Sequence, residues 1–445
     1  MNFDGHISSL VGKAVATLKR RKNSVWVFLF ISSGAVWAAL WVFYVASFLT
    51  PTEFGSYSIA VSVMTFLTVY ASHNNGSTIV RHLSYYNNSN QVMAERFRAW
   101  AFSSTINRSV FFAISGSLIY SLYFTYFDSS LGASIYYAVF GVFFTSLSFT
   151  LMAMLRCEGK PVKAFLSLHF LRYVFFFLFA WTLFPSLEAK ASTAIGLEVL
   201  SYFGVLLVLL FFSRSMKIFR SFYKYYGVDK KERGEWRKKG FGLTKSALSQ
   251  QVIGNVDIII VGIVFGVKEA GFYAIASKVS KVVILGNKAI NEYAAPAISS
   301  AYESGNYKRV ERVAVGACSA SLLIAFFFVI ALYFTQGLIF KALGSEYAEV
   351  LSILWVFIFG QVFNSATGPT GIVLNMTDGE SYQTNINIFS AALMVFMFLV
   401  CGFFEGGALS AAIVYSLVLV LSNTLKVFYI KKTMGFFLLP RFFKK

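Results

Sequence analysis

Charge is scarce along this chain, and acidic charge is scarcest. Lys and Arg number 39 against 20 Asp and Glu, and charged residues fill only 13% of 445 positions, about half the usual ~25%. That shortage excludes a soluble globular surface. Cysteine is nearly absent: Cys157, Cys318 and Cys401 are scattered with no partner at motif spacing, so they read as small apolar helix residues, not as a disulfide framework. No two-residue apolar alternation runs through the long apolar stretches, which excludes a membrane β-barrel. The first apolar run is too long for the core of a cleavable leader and no small-residue cleavage site follows it. There is no His/Cys/carboxylate spacing for a metal and no nucleophile elbow. The segment Lys239–Ser246 resembles a phosphate loop, but it lacks the Gly before its Lys and no strand precedes it. An enzyme is therefore not expected, nor is a cofactor beyond a coupling proton or Na⁺.

What the chain has is apolar length. Runs of ~20 apolar residues, each long enough to span a bilayer as a helix, recur near 24–49, 56–80, 99–126, 132–154, 164–185, 192–213, 246–265, 271–296, 314–340, 348–371, 383–403 and 407–429. The expected fold is an all-α integral membrane protein of about twelve spans. Cytoplasmic ends of spans collect Lys and Arg. Lys19, Arg20, Arg21 and Lys22 precede the first span, and alternation then places Arg81, Arg96 and Arg98, then Arg156, Lys160 and Lys163, then the basic loop Arg214–Lys245, and finally Lys426, Lys431, Lys432 and Arg441 on the same side. Both termini are expected in the cytoplasm. Loop charge accounts for most of the net +19, so no nucleic-acid partner is needed to explain it.

The second feature is an internal repeat. At a constant offset of 216, Glu53, Gly55, Tyr57, Ile59, Ala60 and Val63 meet Glu269, Gly271, Tyr273, Ile275, Ala276 and Val279. Asn75, Ser84, Tyr86, Asn90, Glu95, Arg96, Ala101 and Ser103 meet Asn291, Ser300, Tyr302, Asn306, Glu311, Arg312, Ala317 and Ser319. Six spans precede the basic segment and six follow it, so the copies share one orientation and form a parallel repeat around a central cavity. The expected organisation is an N-terminal lobe 1–213, a cytoplasmic linker 214–245 lying on the anionic leaflet, and a C-terminal lobe with a basic tail, 246–445. The repeated Gly suits a tight outer turn and the repeated Tyr suits the membrane interface.

Five cations fall inside expected spans: Arg108, Arg172, Lys278, Lys281 and Lys288. Lys278, Lys281, Lys288 and Glu292 fall within an arc of roughly 80° on one unbroken helix. A charge at bilayer depth costs ~2.5–3.5 kcal/mol even on the mildest scale, so these lysines are expected to face water or carboxylates. Asp257 lies at a depth similar to Lys278 and is placed to pair with Lys278 or Lys281. Asp257, Glu292 and Glu198 read equally as ion-pair partners or as carriers of a coupling ion. Ser62, Thr65, Ser72, His73, Asn75 and Asn255 would give the cavity a polar lining, His73 as a hydrogen-bonded residue before any pH switch.

Several stretches resemble a known family. Pro51–Ala60 (PTEFGSYSIA), Asn255–Gly262 (NVDIIIVG), Val267–Ala276 (VKEAGFYAIA) and Gly371–Asp378 (GIVLNMTD) are similar to segments of the Wzx-type polysaccharide flippases of the MOP exporter superfamily. The resemblance implies two six-helix lobes, alternating access and a polyprenyl-diphosphate-linked oligosaccharide, such as an O-antigen unit for lipopolysaccharide, as cargo. It further implies a bacterial inner-membrane location, membrane lipids around the chain, and a polysaccharide polymerase and chain-length regulator as partners. A multidrug antiporter of the same superfamily is the first alternative, although cationic drugs call for a carboxylate-lined cavity. A membrane-embedded polymerase is the second, although such enzymes carry a long outer loop and the outer loops here are short.

Overall fold

The computed structural model describes the chain from residue 26 to 441, apart from positions 28, 32, 35, 74 and 75 and segments 125–129, 184–187, 215–230 and 238–250. The described residues are helical, with no strand among them. In the first half they form α1 (Leu29–Phe48), α2 (Pro51–Ala71), α3 (Ser77–Ser89), α4 (Gln91–Phe124), α5 (Ser130–Cys157), α6 (Pro161–Leu183) and α7 (Ala191–Phe212). The second half holds α8 (Asp257–Val264), α9 (Val267–Ser280), α10 (Leu285–Glu303), α11 (Tyr307–Leu343), α12 (Val350–Thr367), α13 (Thr370–Asn375), α14 (Glu380–Phe403) and α15 (Ala408–Met434). Nine helices among the described residues are long and apolar enough to cross a membrane. The other three expected spans map to the charged α4, to the short α8 and to the broken pair α9–α10. Large apolar side chains such as Trp181, Phe334 and Phe403 point outward, as lipid-facing positions do.

In the first lobe α5 is the hub, packed against α2, α4 and α7; in the second, α15 packs on α12 and α14. The lobes meet chiefly where α2 crosses α9. The crossing is made by the repeat itself. A Cβ on Gly55 would lie 1.9 Å from the carbonyl oxygen of Val267, and one on Gly271 would lie 2.2 Å from that of Pro51. Pro51 and Val267 are themselves 216 apart, so each glycine receives the other copy's first helical residue. Within a bilayer, helices associate through close packing and not through exclusion from water, and small residues permit that approach. The repeated glycines thus serve an inter-lobe contact inside helices, not the tight outer turns expected of them. Tyr347 adds a second tie from lobe to lobe, its hydroxyl donating to the Leu49 carbonyl at 2.7 Å.

The repeated glutamates have parallel tasks. The Glu53 carboxylate accepts from Ala191 N at 2.6 Å at the start of α7, and the Glu269 carboxylate accepts from Ala408 N at 2.6 Å at the start of α15. Each anion sits at a helix N-terminus, where unpaired N–H groups favour negative charge. Tyr57 and Tyr273 are fully buried inside the protein and not on its surface, and their hydroxyls donate to Glu198 and Asp257.

Three breaks revise the expected spans. The run 56–80 is interrupted after Ala71, where His73 takes φ 54° and Gly76 φ 80° before α3 begins. A single 3₁₀ turn, Lys281–Ile284, separates α9 from α10. It adds about 20° per residue over its length, about 80° in all, which interrupts the helix but still leaves Lys278, Lys281, Lys288 and Glu292 within an arc of roughly 100° about its axis. Wide π-turns precede two buried charges: Ser167–Leu171 comes immediately before Arg172, and Val252–Val256 immediately before Asp257. Such turns re-aim the following side chains and recur at functional sites.

Candidate substrate cavity and buried charge networks

In the first lobe, α1, α2, α6 and α7 assemble one polar network in an aromatic setting. Trp41 Nε1 donates to the Tyr57 hydroxyl at 2.8 Å, and that hydroxyl donates to the Glu198 carboxylate at 2.5 Å. Arg172 Nη2 binds the other carboxylate oxygen at 3.1 Å while Nη1 donates to the Tyr202 hydroxyl at 2.6 Å. Its guanidinium lies 4.7 Å from the Tyr173 ring and 4.6 Å from the Tyr202 ring. Glu198 is 3% exposed. This is a buried ion pair in which both carboxylate oxygens and both terminal guanidinium nitrogens are engaged, while Arg172 Nε has no hydrogen-bond partner among the described residues; such bonding offsets much of the cost of burying charge in a low dielectric. Arg172 is therefore neutralised inside its own lobe and does not offer a free cation to a cavity.

The second lobe builds a related network with its acid elsewhere. The Tyr273 hydroxyl donates to Asp257 Oδ2 at 3.0 Å. Asp257 is completely buried, and its Oδ1 has no hydrogen-bond partner among the described residues. Lys281 donates to the Gly254 carbonyl at 3.0 Å and stands within electrostatic reach of Asp257, but makes no direct ion pair with it. Asn255 donates to Gln251 in the adjacent turn.

Lys278 joins the two networks. Although it belongs to α9 of the second lobe, its ammonium lies 5.5 Å from the centre of the Tyr57 ring and 5.6 Å from that of Phe54, both on α2 of the first. These are cation–π distances, worth about 2 kcal/mol when desolvated. The same ammonium is within electrostatic reach of Glu198, Arg172 and Lys281.

A third group surrounds the break after α2. Arg108 Nη1 donates to the Tyr70 carbonyl at 3.0 Å and approaches His73 Nδ1 at 3.4 Å, with the guanidinium 5.1 Å from the Tyr70 ring. His73 Nε2 bonds Ser104 Oγ at 2.7 Å, and the imidazole packs on Trp100 at 4.9 Å. An Arg donor facing Nδ1 requires that nitrogen to be an acceptor, so this arrangement holds the neutral imidazole with its proton on Nε2.

The expected polar lining behaves differently. The hydroxyls of Ser62, Thr65 and Ser72 donate to the carbonyls of Ser58, Val61 and Thr68 four residues back, and Ser62 and Ser72 are buried. Their hydroxyl protons are taken up by their own helix. Asn75 and the side chains of Lys288 and Glu292 lie outside the described residues.

The family description "Polysaccharide biosynthesis protein" matches residues 44–352, a stretch that includes every charged residue of the three networks. The chain belongs to the polysaccharide biosynthesis protein family. Among curated proteins, none matches the sequence significantly. Solved structures match over nearly the whole length. Lipid II flippase MurJ in an inward closed conformation superposes with TM-score 0.69 at 15% identity, covering 92% of this chain and 87% of that one. An inward-facing multidrug resistance MATE family transporter of the MOP superfamily gives 0.67 at 13% identity, over 92% and 94%. An outward-facing one gives 0.56 at 14%, over 96% and 93%. The chain thus has the fold of the MOP-superfamily transporters and is a multi-pass membrane protein.

In this member of the family, sequence reasoning missed Tyr57, Tyr273, Trp41 and Lys426. The two tyrosines were visible as repeat identities. Trp41 is the position 216 before Asp257, so the offset that relates the tyrosines also finds it. Lys426 is near a helix end in sequence, yet its ammonium is drawn onto Asn387 Oδ1 at 3.1 Å inside the second lobe.

Proposed function

We propose that the chain is an alternating-access flippase that carries a polyprenyl-diphosphate-linked oligosaccharide, an O-antigen or similar repeat unit, from the inner to the outer leaflet of a bacterial inner membrane. The observation that carries this reading is Lys278, a cation of one lobe placed on the aromatic face of the other at the lobe crossing. Lys281 stands one turn further on, and Arg108 is held by neutral acceptors. In the first lobe's network Arg172 is tied directly to a carboxylate, that of Glu198. The intramembrane surface shared by the lobes is therefore net cationic, which suits a diphosphate and opposes a cationic drug. Charge-assisted hydrogen bonds from lysine and arginine would replace the hydration that an anionic diphosphate loses in the membrane. Rocking of the lobes about the α2–α9 crossing would then change the side to which the anion is exposed. The polyprenyl tail stays in lipid, and no covalent step is required. The likeness to MurJ supports a lipid-linked cargo, and the family supports a polysaccharide.

A proton or Na⁺ would couple at the second lobe's acid, Asp257, which has no ion pair among the described residues, in contrast to Glu198 paired with Arg172. Cytoplasmic termini, and partnership with a polysaccharide polymerase and a chain-length regulator, complete the reading. Its test is Lys281→Ala in cells that depend on the chain for surface polysaccharide. The expected result is loss of translocated units with normal amounts of the protein in the membrane; unchanged surface polysaccharide refutes the role.

A further inference from the structure

The linker was expected to lie on the membrane surface, yet residues 231–237 fold into a helix that docks on the first lobe. Trp236 is only 2% exposed. Its indole N–H donates to the Tyr86 hydroxyl on α3 at 3.0 Å, and its ring packs on Phe97 and Trp100 of α4 at 5.3 and 5.5 Å. Glu232 pairs with Arg96 at 3.4 Å. Contacts continue from there into the lobe. The Trp100 ring packs on His73 at 4.9 Å, and the imidazole is held at both nitrogens, Nε2 by Ser104 Oγ at 2.7 Å and Nδ1 by Arg108 Nη1 at 3.4 Å. A path of direct contacts thus leads from the linker helix to an intramembrane cation.

That path ends on a cation with one side unused. Arg108 Nη1 serves both the Tyr70 carbonyl, at 3.0 Å, and His73, whereas Nη2 and Nε make no hydrogen bond among the described residues. The residue is half-buried, and its bond to Tyr70, itself 38% exposed, lies at an accessible edge. The unused Nη2–Nε edge of a guanidinium is a fork that fits two oxygens of one phosphate. The arrangement is also confined to one lobe. At the offset of 216 the counterparts of His73, Trp100 and Arg108 are Ala289, Gly316 and Ile324. The docking groove itself is shared: in the second lobe the tail beyond α15 fills it with Phe436 and Leu438, and Arg441 pairs with Glu311 at 2.8 Å. Docking of a returning segment therefore belongs to the common lobe. The aromatic and histidine path to an arginine does not.

We propose that the open edge of Arg108 holds a phosphate of the cargo and that His73 is its positioning residue, braced through Trp100 by Trp236 of the linker helix. This rests on the flippase reading and adds to it one contact and the element that aims it. The neutral imidazole accepts from Nη1 and so turns the unbonded edge of the guanidinium outward. The phosphate of an anionic lipid offers the same oxygens, and the test separates it from cargo.

The test measures binding of inorganic diphosphate by calorimetry with the full chain in phosphatidylcholine nanodiscs, each variant's fold checked by thermal melting. Arg108→Gln should weaken binding about tenfold. Trp236→Ala, which changes no charge, should weaken it about fivefold in the wild-type background and hardly at all in Arg108→Gln, because it acts through the guanidinium. A purely structural brace would cost the same in both backgrounds. His73 supplies an independent arm. His73→Asn keeps an acceptor near the place of Nδ1 and suits the φ of 54° there, so it should bind within about twofold of wild type. His73→Gln moves the acceptor toward the place of Nε2 and should lose about tenfold. Equal losses from Trp236→Ala in the two backgrounds, unchanged binding in Arg108→Gln, or no difference between His73→Asn and His73→Gln overturns the proposal and leaves the flippase reading standing on Lys278 and Lys281. Failure of the wild type to bind diphosphate overturns both. Abolition of the Arg108-dependent binding when phosphatidylglycerol is added to the discs assigns the site to lipid head groups and overturns the proposal.

Discussion

Adding one methyl group at the lobe crossing should shift the whole transporter toward its outer-open state. In Gly271→Ala the new Cβ would sit 2.2 Å from the Pro51 carbonyl oxygen, and in Gly55→Ala 1.9 Å from that of Val267. Both partners are main chain and cannot rotate away, so α2 and α9 must separate by roughly 1 Å, a strain in the usual overpacking range of about 1–3 kcal/mol. In the proposed alternating-access cycle the contact belongs to one conformation only, the one in which the lobes are closed at this crossing. A destabilisation of that size changes the closed-to-open ratio by about 5- to 150-fold. The assay is double electron–electron resonance between spin labels at Thr52→Cys and Lys268→Cys, exposed repeat counterparts on the two lobes, with Cys157, Cys318 and Cys401 replaced. Either alanine should lengthen and broaden the distance distribution. The double variant should add little to the larger single effect, because both methyls relieve their clash by the same movement. Gly196→Ala, with nothing within 4 Å of the added Cβ, should leave the distribution unchanged. A folded Gly55→Ala/Gly271→Ala protein with wild-type distances would refute the idea that this crossing is the outer closure.

Further outcomes follow from the buried networks. Glu198→Gln should lower thermal stability in detergent by about 3–5 kcal/mol because Arg172 is left uncompensated; Arg172→Met combined with it should recover much of the loss, and additive damage would argue against the pair. Tyr57→Phe removes the link between Trp41 and Glu198 but keeps the ring beneath Lys278, so stability should fall by about 1–3 kcal/mol while diphosphate affinity holds; reduced affinity would mean the hydroxyl itself touches cargo. Asp257→Asn should weaken the pH or Na⁺ dependence of transport in vesicles, and an unchanged dependence removes it from coupling.

The sequence made the membrane class, the parallel repeat and the presence of buried charge legible, because apolar length and offset identities are linear properties. It could not reveal how those charges pair. Arg172 looked like a cavity cation because depth was all that could be estimated; the partner Glu198 comes from the next helix, aimed by a π-turn that no periodicity announces. The lysine stripe of the eighth span assumed an unbroken helix, and a 3₁₀ turn at Lys281–Ile284 interrupts it. Gly55 and Gly271 were visible as identities but read as local turn residues, because a close approach between distant helices leaves no local signal.

The two lobes solve one problem with the acid at opposite ends of the repeat. In each, the repeated tyrosine donates its hydroxyl to a carboxylate. In the second lobe that acid is Asp257 on the lobe's first helix, and the position 216 earlier is Trp41, which donates to Tyr57 instead. In the first lobe the acid is Glu198 on the last helix. The cap residues Ala191 and Ala408 set the register of that helix at 217, which puts Tyr415 opposite Glu198, and Tyr415 lies within electrostatic reach of Asp257. The exchange determines what each acid is able to do. Glu198 has Arg172 and Tyr57 on its two oxygens, so changing its charge would strand a buried guanidinium. Asp257 has one oxygen on Tyr273 and no ion pair among the described residues, with Lys281 within electrostatic reach. On the proposed ion coupling, the first arrangement would fix its lobe and the second would let its lobe respond. Ion dependence should accordingly reside in the second lobe alone, with Lys278 carrying its electrostatic state across the crossing to the aromatic face of the first.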